Sequence, residues 1–376
     1  MIMDGFFLKS PEEQSDLTGH DAEQQLLLDL WNSGHLAGSW LFAGPKGIGK
    51  ATLAYRLARF ILAAPDPEND LLGVRPTTLS VPETDPVFRS VAQRSHPALK
   101  VIECGLKEDE LKARQALIDA GKPLDPEIER ARKRYDEIRI TDIREAETFL
   151  HLTVGGNGWR VMIIDSADDM NPNAANALLK SLEEPPEKTV IILISHVVGK
   201  LLPTIRSRCR KLAIKPFESN ALSDFLKSKG EDIPDADLRT LSLLAEGSPG
   251  KAVSLIKQDG ASLFKRQVSF FAAFPAVSVS GLYDFAEKSL KDKDVLKTAQ
   301  SLLIQWLTDV CVSAEKQDAA EIFAGEGAVR RRLQTVFPVL KLMDLTDGLR
   351  RAFADPDLDQ KQVFVNAVLT LQREAG

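Results

Sequence analysis

Leu41 to Thr52 read "LFAGPKGIGKAT", an apolar run that gives way to glycines and a lysine. The apolar run "WLFA" stops at Gly44, and Gly44, Pro45, Lys46, Gly47, Ile48, Gly49 and Lys50 then follow the pattern G-x-x-x-x-G-K. In that pattern glycines let successive backbone N–H groups face phosphate oxygens, and the lysine reaches the outer phosphates. Directly afterwards Leu53, Ala54, Leu57, Ala58 and Ile61 recur at the spacing of one helix face. The segment reads as strand, phosphate-binding loop, helix. The position after the lysine should offer magnesium a hydroxyl, but Ala51 stands there, with Thr52 one step further round the helix, about 100° away. Nucleotide binding stays open, as does a glycine-rich turn that has lost its nucleotide. Metal-assisted hydrolysis is called into question.

A second alteration lies downstream in "RVMIIDSADDM". Asp165 ends an apolar strand, where a carboxylate holds magnesium directly or through water. Hydrolytic versions of such strands follow the aspartate with a glutamate that orients water. Here Ser166 occupies that place, and a lone hydroxyl is a poor base near neutral pH. Asp168 and Asp169 offer substitute carboxylates, although carboxylates between a strand and a helix more often cap the helix. A third feature is "LLPTIRSRC", with Arg206, Arg208 and Arg210 in alternation. A planar guanidinium that stays charged suits a phosphate, and alternate arginines also suit a salt-bridged loop.

Working outward, "WLFA", "LKVIE", "RVMIID" and "TVIILIS" alternate with helical stretches from Ser39 to about Pro216. That alternation predicts a parallel sheet flanked by helices. One helix starts at the Asn171 cap with Pro172 in its first turn, turns Ala175, Leu178, Leu179 and Leu182 inward, and stops before Pro185 and Pro186. The charged insertion at residues 105–137 reads as solvated helix or hairpin. After Phe217 the strand signal stops. "ESNALSDFLKSKG", "DADLRTLSLLAEG" and "SPGKAVSLIKQ" read as three short helices, and only helical periodicity follows. The predicted organisation is an α/β domain over residues 1–216, a small helical lid over 217–260 and an all-α domain over 261–376.

Composition excludes several classes. The 376 residues carry 54 acidic against 48 basic side chains, a formal charge of −6, so the chain lacks the basic footprint of a protein that grips nucleic acid alone. The clusters Arg132–Arg134 and Arg330–Arg332 are candidates for local DNA contact by charge, with a solvated face as the simpler reading. Cys104, Cys209 and Cys311 are too far apart for a disulfide framework or a zinc spacing. "MIMDGFFLKSPEEQSD" has no basic start leading into an apolar core, and no run reaches bilayer length, so a cytoplasmic protein is expected.

Taken in order, "LTGHDAEQQLLLDLWNSGHLAGSWLFAGPKGIGK", "SHPALKVIE", "IRITDIRE", "IIDSADDMNPNAANALLKSLEEPP" and "LLPTIRSRC" resemble the clamp-loader branch of the AAA+ ATPases. Within it they most resemble the delta-prime family of bacterial DNA polymerase III. The resemblance is dense from Leu17 to Pro216 and looser beyond. It implies an AAA+ domain, a helical lid and an all-α collar. It also implies a hetero-pentameric ring with ATP-hydrolysing gamma/tau motor subunits and a delta lever subunit, which places a sliding clamp on primed DNA during replication. Delta-prime is the stator of such a ring, so Ala51 and Ser166 are compatible with its role, and little or no ATPase activity is expected of the isolated chain. Arg208 matches the family's "SRC" arginine, which enters a neighbouring motor's ATP site. By the same resemblance Ser195 or His196 stands where family members sense the outer phosphate, and Lys251 stands in the place of a lid cation. The nucleotide-binding set is then Gly44, Pro45, Gly47, Ile48, Gly49, Lys50, Ala51, Thr52, Asp165, Ser195 and Lys251, for ATP or ADP with magnesium in doubt. The four-cysteine zinc module of many relatives has no counterpart, because the stretch from Ala64 to Ser95 holds no cysteine. The rival within the family is an ATP-hydrolysing motor subunit, which would want Ser or Thr at 51 and Glu at 166. A small-molecule P-loop phosphotransferase leaves "SRC" and the helical C-terminal half unexplained.

Overall fold

The computed structural model describes residues 9–65, 75–121, 133–151, 158–229, 233–272, 274–290, 292–314, 321–355 and 357–375. The chain divides at Pro216 and Phe217 into two compact units.

In the first unit five strands form one parallel sheet: β1 (Gly38–Ala43), β2 (Leu99–Ile102), β3 (Arg160–Ile164), β4 (Thr189–Ser195) and β5 (Arg210–Ala213), in the order β2-β3-β4-β1-β5. Helices α1 (Asp21–Asn32), α2 (Lys50–Ala63), α3 (Pro86–Ala92), α4 (Glu108–Asp119), α5 (Ile140–Leu150), α6 (Pro172–Glu183) and α7 (Pro203–Arg208) accompany it. Because strand side chains alternate between faces, Trp40 and Phe42 join Leu27, Trp31, Leu53, Leu57 and Ile61 in one core. Leu41 and Ala43 join Ile143, Ala146, Leu178 and Leu182 in the other. Both faces of the sheet are covered, which is why its strands read as unbroken apolar runs. Of the four inward residues expected of α6, Ala175, Leu178 and Leu182 are buried and Leu179 is only partly so.

The fifth strand was not expected from sequence. β5 is four residues long and only Leu212 is buried in it, so its apolar signal is weak; the parallel ladder to Trp40–Ala43 of β1 defines it. In the charged insertion, α4 has no buried residue, and an antiparallel bridge joins Leu106 to Arg134. Residues 122–132, which include Arg132, lie outside the described residues.

Among the described residues the second unit contains helices alone: Ser219–Lys229, Asp235–Leu244, Pro249–Lys257, Gly260–Ser269, Val279–Ser289, Lys293–Ser313, Glu326–Val336, Val339–Ala354 and Gln360–Ala375. Arg330, expected on a solvated face, is instead buried: its Nε and a terminal nitrogen donate to Glu326 at 3.0 and 2.7 Å, and Glu326 is buried with it. Glu326 also accepts from Trp306 Nε1 at 2.6 Å. A four-residue spacing on one helix turned the pair inward together. Among the described residues no helix is long and apolar enough to cross a membrane.

Candidate functional site

Sheet order places the site. Central β4 is flanked by β1, where Ala43 pairs with Ser195, and by β3, where Ile164 pairs with Leu193. The carboxyl ends of three strands therefore deliver the glycine loop, Asp165 and Ser195 to one edge of the sheet, the usual ligand side of an open α/β sheet. At Gly44 a Cβ would lie 2.3 Å from the Ile214 carbonyl oxygen, so nothing larger than glycine fits the turn. Gly49, with φ of 102°, takes a left-handed conformation at the cap of α2. Lys50 opens α2, is 3% exposed, and donates from Nζ to the carbonyls of Gly44 at 2.6 Å and Pro45 at 2.5 Å. Burial pulls its ammonium down to about 8, against the opposing pull of Asp165 and Asp168. Sequence reasoning missed His20, whose Nε2 lies 2.7 Å from the Ile48 carbonyl oxygen and donates to it. Its place just before α1 carries no phosphate-site signal, and only the fold brings it to the loop.

At the end of β3 the Asp165 amide donates to Ile102 at 2.8 Å. Burial raises its carboxyl above the ordinary value, and Glu103 adds to this while Arg94 opposes it. Ser166 adopts a left-handed φ of 61° and sets its Oγ 3.2 Å from His196 Nε2. Of the substitute carboxylates Asp168 and Asp169, for which helix capping is the commoner role, Asp168 does not cap α6. Its carboxylate accepts from Ser195 Oγ at 2.5 Å, the His196 amide at 2.5 Å and the Val197 amide at 3.0 Å. Asn171 caps α6, accepting from the Ala174 amide at 2.9 Å. Ser195, fully buried, has its hydroxyl committed to Asp168. His196 is only half-buried, and it is held down to about 4 by burial and by the charges of Lys50 and Lys46.

The arginines of "LLPTIRSRC" separate into different environments. Arg206 is exposed. Arg210 donates to the His35 carbonyl at 2.7 Å and stacks 4.4 Å over the Trp40 ring, a structural role. Arg208 ends α7, where its Nε donates to Glu183 Oε1 at 2.6 Å, a second nitrogen reaches the same carboxylate, and a third donates to the Thr204 carbonyl at 2.9 Å. Glu183 closes α6, so two separate sequence motifs, "NALLKSLEEPP" and "SRC", meet in one ion pair.

A family model described as "DNA polymerase III, delta subunit" matches residues 19–218, more than half of the chain. A relative from Pseudomonas aeruginosa, DNA polymerase III subunit delta', is 34% identical over 227 residues. The chain belongs to the delta-prime family of DNA polymerase III clamp-loader subunits. That alignment covers 60% of this chain and 58% of the relative. The delta' subunit of Bacillus subtilis is 27% identical over 62% of this chain and 58% of its own length. DNA polymerase III subunit gamma of Buchnera aphidicola is 26% identical over 66% of this chain and 58% of its own. The matches thus span under two thirds of each relative.

Against the magnesium chemistry of AAA+ sites, this delta-prime family member lacks one donor: Ala51 supplies no oxygen at the position after Lys50, while Asp165 stands just past the end of β3. Both oxygens of Asp168 accept from the end of β4. Lys251 belongs to the helical unit. Its amide donates to the Ser248 cap at 3.1 Å, and its Nζ donates to Glu246 at 2.9 Å and Gln305 at 2.8 Å.

Proposed function

We propose that the chain is the stator of a DNA polymerase III clamp loader, the delta-prime subunit of a hetero-pentamer with gamma/tau motor subunits and a delta lever subunit. In this reading it helps place the sliding clamp on primed DNA during replication, in the cytoplasm, and contributes Arg208 in trans to the ATP site of a neighbouring motor. Residues 1–216 form the AAA+ domain, 217–260 the lid and 261–376 the collar that joins the ring. The observation that carries the reading is a contrast: the chain's own site has Ala51 and Ser166 where hydrolysis needs a metal-binding hydroxyl and a base, whereas Arg208 sits at the end of α7, about a third exposed.

The glycine loop keeps a frame for polyphosphate, with Gly44, Pro45, Gly47, Ile48, Gly49, Lys50, Ala51 and Thr52 around ATP or ADP and Lys50 as the cation. Bound nucleotide is held there without turnover, with Asp165 and Ser195 bordering it. Zinc has no part in this reading. Arg208 acts by placing fixed positive charge where negative charge grows on the phosphoryl group being transferred. Such arginines are worth about 10³ to 10⁵ in rate where they have been measured. The test is ATP turnover by the assembled loader, stimulated by clamp and primed DNA, with wild-type chain or Arg208→Ala at equal assembly. A fall of about three orders of magnitude is expected at that neighbouring site, the lower end of that range; unchanged turnover overturns the stator reading. Vigorous turnover by the isolated chain would instead favour the motor-subunit reading.

A further inference from the structure

The Arg208 guanidinium carries five N–H donors, and hydrogen bonds commit two of them. Glu183 Oε1 accepts from Nε at 2.6 Å and stands in ion-pair contact with a terminal nitrogen, and the Thr204 carbonyl accepts from the other terminal nitrogen at 2.9 Å. Three N–H groups remain. With Nε turned to Glu183, all three belong to the terminal nitrogens, at the end of the side chain furthest from its own backbone. An arginine on the last turn of a six-residue helix, a third exposed, would otherwise sample many rotamers. The backbone that carries the restraining carboxylate is held in place, because Glu183 closes a twelve-residue helix whose inner face is buried.

We propose that Glu183 is a positioning residue for Arg208, holding its guanidinium by one edge so that the remaining terminal N–H groups are presented to a phosphate oxygen of a neighbouring subunit. This rests on the reading of Arg208 as a trans arginine and adds to it a residue on a different helix. Bound this way, the arginine loses less freedom on meeting the phosphate, so Glu183 acts on the catalytic step and leaves ATP affinity in the neighbour's site nearly unchanged.

The experiment measures kcat and KM for ATP with the assembled loader, saturated with clamp and primed DNA, carrying Glu183→Ala, Glu183→Gln, Arg208→Ala or the double change Glu183→Ala with Arg208→Ala. Assembly of each variant is checked by size-exclusion chromatography. The expected result is a fall of about tenfold in kcat for Glu183→Ala with KM within about twofold, and about half of kcat retained in Glu183→Gln, whose amide oxygen still accepts from Nε. Added to Arg208→Ala, the loss of Glu183 should then do nothing further. Wild-type or raised kcat in Glu183→Ala, or an equal loss on the Arg208→Ala background, overturns the proposal even if Arg208→Ala itself is strongly impaired. An Arg208→Ala loader with full turnover is the separate result that sinks the trans-arginine reading and this proposal with it. Should Glu183→Ala fail to assemble, Glu183→Gln decides, alone and combined with Arg208→Ala: kcat lowered about twofold on the wild-type background and unchanged on the Arg208→Ala background supports positioning, and wild-type kcat, or an equal loss on both backgrounds, overturns it.

Discussion

At the scale of single residues, the site is distinguished by which polar groups are already engaged. Ser195 and His196 were equal candidates for sensing a phosphate, since both close the "IILISH" strand. Register separates them: Ser195 is buried and bonded to Asp168, while His196 lies half-buried beside Ser166. His196 yields a pH prediction. Held near 4 in the folded chain, below its ordinary 6.5, the ring takes up a proton later than it does in the unfolded chain. The unfolded state therefore binds more protons between those values, and stability, full above about 6.5, is lost as the pH falls toward 4. His196→Gln should flatten that loss by about 1 kcal/mol, a figure discounted for partial exposure, as read by urea denaturation at pH 7 and pH 5.

At the scale of elements, legibility followed periodicity and capping. α2 and α6 were readable because their apolar residues recur every three or four positions and because Asn171 and Pro172 mark a helix start. Asn171→Ala should cost about 1 kcal/mol in chemical denaturation, since the Ala174 amide loses its acceptor. A loss below a few tenths would mean that another group satisfies that amide. Gly44→Ala should do more damage. Its methyl carbon would lie 2.3 Å from a backbone oxygen held by the strand-end register, where the neighbour has no rotamer to escape into. A loss of about 3 kcal/mol or more and a lowered melting temperature are expected. β5 was illegible for the opposite reason to α2: four residues beginning with Arg210 and Lys211 carry almost no apolar signal, and a neighbouring strand supplies the ladder.

At the scale of the whole molecule, the helical unit depends on a buried charge pair, of which sequence pattern had assigned Arg330 to the surface. Glu326→Ala removes the partner of both Arg330 and the Trp306 indole in a core position. Leaving that guanidinium buried and unpaired should cost about 3–5 kcal/mol, detectable as rapid proteolysis within residues 217–376. Resistance equal to wild type would show that water or another carboxylate reaches Arg330.

The amino-acid sequence by itself determined the parallel α/β unit, the glycine loop and its missing magnesium ligand, the switch to helix after Phe217, and the delta-prime resemblance, because each is written in local pattern: periodicity, glycine placement and motif order. Tertiary structure alone decided which carboxylate serves which partner. Asp168 turned to the end of β4, Glu183 to Arg208, and Glu326 to Arg330 and Trp306. A charged side chain's partner is set by distance in space and by what burial demands, and Glu183 and Arg208 lie 25 positions apart in the chain.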